Sequence, residues 1–325
     1  MRGLGLVLAG GGGKGAYQIG VWKALQEFGV VANITAVSGT SVGALNAALF
    51  VQGDYNIAEN VWLNIRTDKI LKLDSKNMKQ VISGFSPFAR TQNIDIIAPI
   101  LLYMAKNRKS IFSRDGLVKI IDENLNLQQI SSDMIPCFAT CLEIPQQKKK
   151  YFNLNRMDPL KIKSVLLATS ALPLIFDDVV IDGKSYIDGG VPVFGDNVPI
   201  KPLYDIGYRG FLVVHLSRDS IIDKKSFPGA KIIEIVPYED QGNMLDGTLD
   251  FTREGAKKRI QQGYNDTSKI LEPMYYMGIT QKEIYEKLIQ IANDEYNFEI
   301  ERQTLIDERG KLKCELYKSI DGEGG

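Results

Sequence analysis

The pentapeptide Gly39-Thr40-Ser41-Val42-Gly43 constrains this chain more than any other stretch. Before it, Ile34-Thr35-Ala36-Val37 is short, β-branched and apolar, which predicts a buried strand. After it, Ala44 to Val51 consists of good helix formers with an apolar face. A serine flanked by glycines between a strand and a helix sits on a sharp turn, its hydroxyl raised above the end of a sheet. The competing reading is a glycine-bounded turn whose serine only caps the helix. Choosing between them depends on what else the chain brings to that turn.

A second glycine-rich stretch, Gly10-Gly11-Gly12-Gly13-Lys14-Gly15, follows an apolar strand at Gly5–Ala9. It precedes a helix from Ala16 to Phe28, with Gly29 as its C-cap. Three readings compete for it. A Walker A loop needs a hydroxyl after the lysine, and Lys14 is followed by Gly15. A dinucleotide fingerprint fits Gly10, Gly12 and Gly15 but needs a carboxylate at the end of the second strand, which closes in Val37-Ser38-Gly39-Thr40-Ser41. An oxyanion hole needs only bare backbone N–H groups at a helix N-terminus, and it uses everything present. Strand, loop, helix, strand, elbow and helix in this order predict a parallel α/β arrangement.

The groups that could activate Ser41 are few. The single histidine, His215, lies in the apolar run Phe211–Leu216, where a structural role competes with that of a triad base. Asp188 ends a strand at Lys184–Ile187 and is followed by Gly189-Gly190, which permit a tight bend beside another group. Without Ser41 and the glycine loop, an ordinary Asp-Gly turn would explain it.

Elsewhere the pattern predicts mainly helix over 53–130. This includes an amphipathic segment from Asn93 to Ala105 and a helix from Arg114 to Leu125 capped by Ser113. A strand at Pro136–Ile144 leads through a Gln146–Lys150 turn to Tyr151–Leu154, and a helix follows at Pro159–Ala168. Val179–Ile181 and Lys184–Ile187 read as a hairpin turning on Asp182-Gly183. Ile232–Val236 reads as a further buried strand, and Thr248–Leu271 as a long helix stopped by Pro273. Thr280-Gln281-Lys282-Glu283 reads as a capping box that opens another helix. The expected division is a catalytic domain at 1–273 and a small helical appendage at 274–325 with a disordered tail.

Lysine plus arginine balance aspartate plus glutamate at 39 each, so no global field favours nucleic acid or an anionic membrane. Cys137, Cys141 and Cys314 form neither a disulfide framework nor a zinc spacing, and the first two read as buried thiols. The apolar stretch at Leu4–Ala9 is too short for a signal peptide, and no run approaches the ~20 residues of a membrane span. A cytoplasmic location, peripheral to a membrane at most, is the expectation.

In order along the chain, Gly10–Gly15, Gly39–Gly43 and Asp188-Gly189-Gly190 resemble the signature of the patatin-like phospholipases. Ala168-Thr169-Ser170-Ala171-Leu172-Pro173-Leu174-Ile175-Phe176 and Asp196-Asn197-Val198-Pro199 are similar to the family's stretches before and after the aspartate. The resemblance covers about residues 3 to 240. It implies a three-layer α/β/α fold with a mostly parallel central sheet, here with extra C-terminal helices. It also implies a bacterial-type lipid acyl hydrolase that cleaves carboxylic esters of phospholipids or lysophospholipids at a membrane or micelle surface, without metal or cofactor. Carried over by position, Ser41 is the nucleophile, Asp188 the base, and the Gly11, Gly12 and Gly13 amides the oxyanion donors. Gly10, Gly15, Gly39, Gly43, Gly189 and Gly190 are motif glycines, and Lys14 matches the family's basic position. Two departures, Asp177-Asp178 where prolines are common and the extra Phe194-Gly195, bear on the acyl pocket. A transacylase using the same dyad and a silent lipid-binding regulator are the alternatives.

Overall fold

The structure, a computed structural model, describes residues 3–70, 72–73, 112–173 and 175–321. The expected amphipathic segment at Asn93–Ala105 lies outside them. The chain divides into two compact units, residues 1–269 and 270–325.

The first unit opens with β1 (Leu4–Leu8), a 3-10 turn (Gly12–Gly15), α1 (Ala16–Glu27), β2 (Ile34–Thr40) and α2 (Val42–Gln52). Then come α3 (Tyr55–Asn64), α4 (Thr67–Ile70) and a two-stranded ladder of β3 (Lys72–Leu73) with β4 (Phe112–Ser113). Next are α5 (Asp115–Asn124), α6 (Leu127–Ser132), β5 (Cys137–Ile144), β6 (Lys148–Asn153) and α7 (Pro159–Thr169). β7 (Val179–Ile181), β8 (Lys184–Asp188), α8 (Lys201–Asp205), β9 (Gly210–Val214) and β10 (Lys231–Ile235) complete the sheet, and α9 (Arg253–Asp321) closes the chain.

The sheet runs β10-β9-β1-β2-β5-β8-β7, with β6 also on β5. The four pairings from β10 to β5 are parallel, and those of β6, β7 and β8 are antiparallel. Side chains alternate along β1 and so serve two layers. Val7 joins Leu203, Tyr208 and Phe211 in a core beneath α8. Leu6 and Leu8 face Ile19 and Trp22 of α1 and Phe50 of α2. Helices thus cover both faces, and the mostly parallel three-layer arrangement expected from the sequence is the one observed.

Three strands meet β5, which has only two edges. β6 pairs with Phe138–Glu143, while β2 pairs with Cys137–Thr140 and β8 with Cys141–Ile144. Since β6 overlaps both of the others, β2 and β8 must share the opposite edge. They run toward each other and stop at adjacent residues, Thr40 opposite Thr140 and Asp188 opposite Cys141.

Several local expectations are corrected. Lys148–Lys150 are strand, not turn, because Pro145–Gln147 already reverses the chain, with Gln147 at φ 54°. Their exposed side chains then guard an edge strand. The helix expected from Arg114 starts at Asp115, and Ser113 accepts the Asp115 N–H at 3.2 Å. The last helix begins at Arg253 rather than Thr248, since residues 244–248 form a separate turn and the Thr252 hydroxyl accepts the Gly255 N–H. It also runs through Pro273 and through the expected capping box at Thr280–Glu283, so the extra C-terminal helices are one continuous helix. A proline removes a single helical hydrogen bond, that to residue 269, and this helix has many others. Residue 269 is also where the two compact units divide.

Gly43 is where the elbow helix crosses the end of β1. A Cβ there would lie 2.2 Å from the Leu8 carbonyl oxygen and 2.6 Å from that of Ala9. Gly43→Ala is expected to cost about 3 kcal/mol, the upper range for overpacking, as read by urea unfolding. A change within about 0.5 kcal/mol, the size of an ordinary surface substitution, would contradict this close approach.

Candidate active site

β2 delivers Ser41 at its C-terminal end with φ 54° and ψ −127°, a left-handed conformation costly for a residue with a Cβ. The strain is held in place by a clamp. The Ser41 N–H donates to the Thr169 hydroxyl at 2.9 Å, and that hydroxyl donates to the Thr140 carbonyl at 2.5 Å. The elbow is therefore tied to β5 at the residue where β2 gives way to β8.

From the other direction β8 delivers Asp188 into the cavity that Ser41 lines, where the Ser41 hydroxyl stabilises its charged form. The Gly190 N–H donates to Asp188 Oδ1 at 2.7 Å. Only 3% of Asp188 is exposed. Burial pushes its carboxyl up to about 6, and the hydrogen bonds from Ser41 and Gly190 oppose that rise.

The glycine loop lies beside the elbow because β1 and β2 are adjacent and in register, Leu8 opposite Gly39. Within it, the Gly10 N–H donates to the Asn197 carbonyl at 3.2 Å, and the Lys14 N–H closes a turn onto Gly11. Among the described residues, the amides of Gly11, Gly12 and Gly13 have no such acceptor. Gly11 and Gly12 line the cavity that holds Ser41 and Asp188. Gly13 is buried behind them, its α-carbon against the Asp250 backbone. Gly15 packs on Val42 and Trp62. Gly189 lies against the Thr140 carbonyl, and its own carbonyl accepts the Asp196 N–H at 2.7 Å.

The cavity has a volume of about 410 Å³. Lys14, Asn197, Ser41 and Asp188 are among its polar groups, and Leu49, Trp62, Leu117, Ile121 and Phe176 are among its apolar walls. That combination suits a ligand with a long apolar part and one reactive polar centre. Lys14 is half-buried, and burial pulls its ammonium below its ordinary value against the upward pull of Asp240. Near the departure at Asp177, the Arg114 guanidinium donates to the Asp177 carbonyl and ties the start of α5 to the wall segment containing Phe176.

His215 follows β9 and is fully buried, with Nε2 3.0 Å from Glu234 Oε2. It does not line the cavity. The structure thus brings Ser41, Asp188, Gly11 and Gly12 together and leaves His215 elsewhere.

Three further side chains position the elbow and the glycine loop. Thr169 ends α7 and bonds both the Ser41 amide and the Thr140 carbonyl. Asn197 donates from Nδ2 to the Gly10 carbonyl at 3.3 Å and so joins the glycine loop to the segment after Asp188. Asn46 donates to Gly15 O and Gln18 Oε1 and accepts from Trp62 Nε1, all within 3.0 Å. A lone amide in the apolar run of α2 was the available signal for Asn46, since buried polar groups need partners.

Fold and site define an α/β protein in which an elbow serine and a buried carboxylate line one cavity. The model of the Patatin-like phospholipase family matches residues 6–204, and the chain belongs to that family. It is similar to Lysophospholipase NTE1 of Cryptococcus neoformans var. neoformans serotype D, 28% identical over 211 residues. That match covers 65% of this chain and 11% of the relative. It is also similar to Patatin-like phospholipase domain-containing protein 7 of Mus musculus, 26% identical over 215 residues, covering 66% and 14%. The chain thus spans only a small part of these relatives' length. The crystal structure of VipD from Legionella pneumophila matches with a TM-score of 0.50 and 17% identity, over 84% of this chain and 67% of that one. It shows the shared fold. Among the described residues, no helix is long and apolar enough to cross a membrane.

A buried carboxyl at about 6 lies above the ~3.9 of an unfolded aspartate, so folding favours its protonated form. The associated stability is fully present below about pH 4 and is lost as the pH rises through about 6. Asp188→Asn, which cannot ionise, is expected to be more stable than the parent at about pH 7.5 and to lose that advantage near pH 4. Urea unfolding at both values measures this, and a difference independent of pH would contradict it.

Proposed function

We propose that this chain hydrolyses carboxylic ester bonds of phospholipids or lysophospholipids, with Ser41 as nucleophile and Asp188 as general base. The observation that carries the reading is that Ser41 and the buried Asp188 line one cavity walled by apolar side chains, with the Ser41 hydroxyl stabilising the Asp188 carboxylate. The family and the curated relatives named as lysophospholipases support the lipid ester as substrate.

Asp188 takes the Ser41 proton as Oγ attacks the ester carbonyl carbon. The negative charge that develops on the carbonyl oxygen is met by the Gly11 and Gly12 amides, with Gly13 as the third candidate donor. Fixed donors of this kind supply much of the rate in acyl transfer. Collapse of the intermediate expels the alcohol, which recovers the proton from Asp188. Water, deprotonated by Asp188, then attacks the acyl-Ser41 ester, and the carboxylic acid leaves as Asp188 returns the proton to Ser41 Oγ. A carboxylate at about 6 is ionised at neutral pH, yet it is a stronger base than an ordinary aspartate.

Catalysis is assigned to the domain at 1–273, with 274–325 as its helical appendage. Lipid at a membrane or micelle surface is the proposed substrate, and the cytoplasm the proposed location.

Hydrolysis of a short p-nitrophenyl ester and of a lysophospholipid tests the assignment. Ser41→Ala and Asp188→Asn are expected to lose roughly 10⁴-fold or more in kcat/KM, as when members of one catalytic unit are removed. Folded His215→Ala is expected to stay within about tenfold of the parent, far from the loss a true base would show. An inactive but folded His215→Ala, or an active Ser41→Ala, would overturn the reading. For the parent, kcat/KM is expected to fall about tenfold per pH unit below about 6, as the free base is lost.

A further inference from the structure

The second unit is helical throughout its described residues. Every side chain from residue 272 to 312 is exposed, in a segment of α9 that also contains Pro273, Gly278 and Gly310. Helices draw most of their stability from packing an apolar face, and proline and glycine weaken them further. An apolar face is present. Met277, Ile284, Ile291, Phe298, Leu305 and Leu312 recur every seventh residue, and each is 56–66% exposed.

A seven-residue repeat does not make a straight stripe on a lone helix. It drifts about 20° per heptad, roughly 100° over these five intervals, and becomes a single seam only when two helices supercoil. The repeat therefore fits another helix. An anionic lipid surface is a poor occupant, because Glu283 to Glu301 carries six acidic side chains and one basic.

We propose that this helix pairs with the same helix of a second copy, antiparallel, to form a coiled-coil dimer. Charge selects both partner and direction. Arg302 to Lys318 carries five basic and three acidic side chains, so opposed chains place the acidic half of each helix along the basic half of the other. The column four residues after the apolar one contains Glu295, Arg302 and Arg309. In a parallel pair each of these would meet its own copy. In an antiparallel pair that column faces the partner's apolar column, where arginine stems can lie along aliphatic side chains.

The test uses the full chain. Sedimentation equilibrium is expected to give a dimer for the parent and a monomer for the double variant Ile291→Asp/Phe298→Asp, with esterase activity confirming that the variant's catalytic unit is folded. A spin label at Lys282→Cys reports direction. Antiparallel pairing of the acidic half on the basic half, centred near residue 300, puts the two labels roughly 54 Å apart at 1.5 Å per residue, and parallel pairing puts them about 10 Å apart. A monomeric parent overturns the proposal, whether or not it sediments with phosphatidylcholine vesicles. A dimer that survives the double variant, or labels about 10 Å apart, also overturns it.

Discussion

The site depends on one edge of β5. That edge is shared by two strands arriving from opposite directions, β2 ending at Thr40 and β8 at Asp188, opposite the neighbouring residues Thr140 and Cys141. Backbone hydrogen bonding fixes both ends, so the next side chain on one strand and the last on the other are placed without a flexible connection between them. Thr169 locks the junction by bonding to Thr140 and to the Ser41 amide. The left-handed Ser41 is held by that bond to its amide.

Asp188 shows the electrostatic consequence of that placement. Burial disfavours its charged form, while the Ser41 hydroxyl and the Gly190 amide favour it. Burial wins in part, giving a carboxylate that is basic yet still ionised at neutral pH. The glycine loop is supported in turn by Asn197 and, one layer deeper, by Asn46. Two side-chain amides, that of the buried Asn46 and that of the exposed Asn197, thus serve as struts for a backbone that has no side chains of its own to anchor it.

Much of this was legible in the sequence wherever backbone geometry restricts residue choice. Gly43 can only be glycine beside the Leu8 carbonyl, and Asp188 is marked by the two glycines that follow it. The α/β class could be read from apolar strands alternating with helices. The meeting of β2 and β8 could not, because long-range pairing leaves no local pattern. Lys148–Lys150 have the composition of a loop but pair with Cys141–Glu143, since strand pairing outweighs propensity at a sheet edge. Pro273 and Thr280–Glu283 carry local stop and start signals that a long helix overrides. Thr169 had no visible signal, because its role depends on a partner 128 residues away.

The most direct measurement is covalent trapping of the nucleophile. The parent and Asp188→Asn would be treated with a fluorophosphonate reagent, then analysed by intact mass and peptide mapping across the pH range. A single adduct on Ser41 is expected, forming faster as the pH rises through about 6 in the parent and slowly at every pH in Asp188→Asn. Labelling at another residue, or Ser41 labelling that is indifferent to Asp188, would contradict a Ser41–Asp188 site.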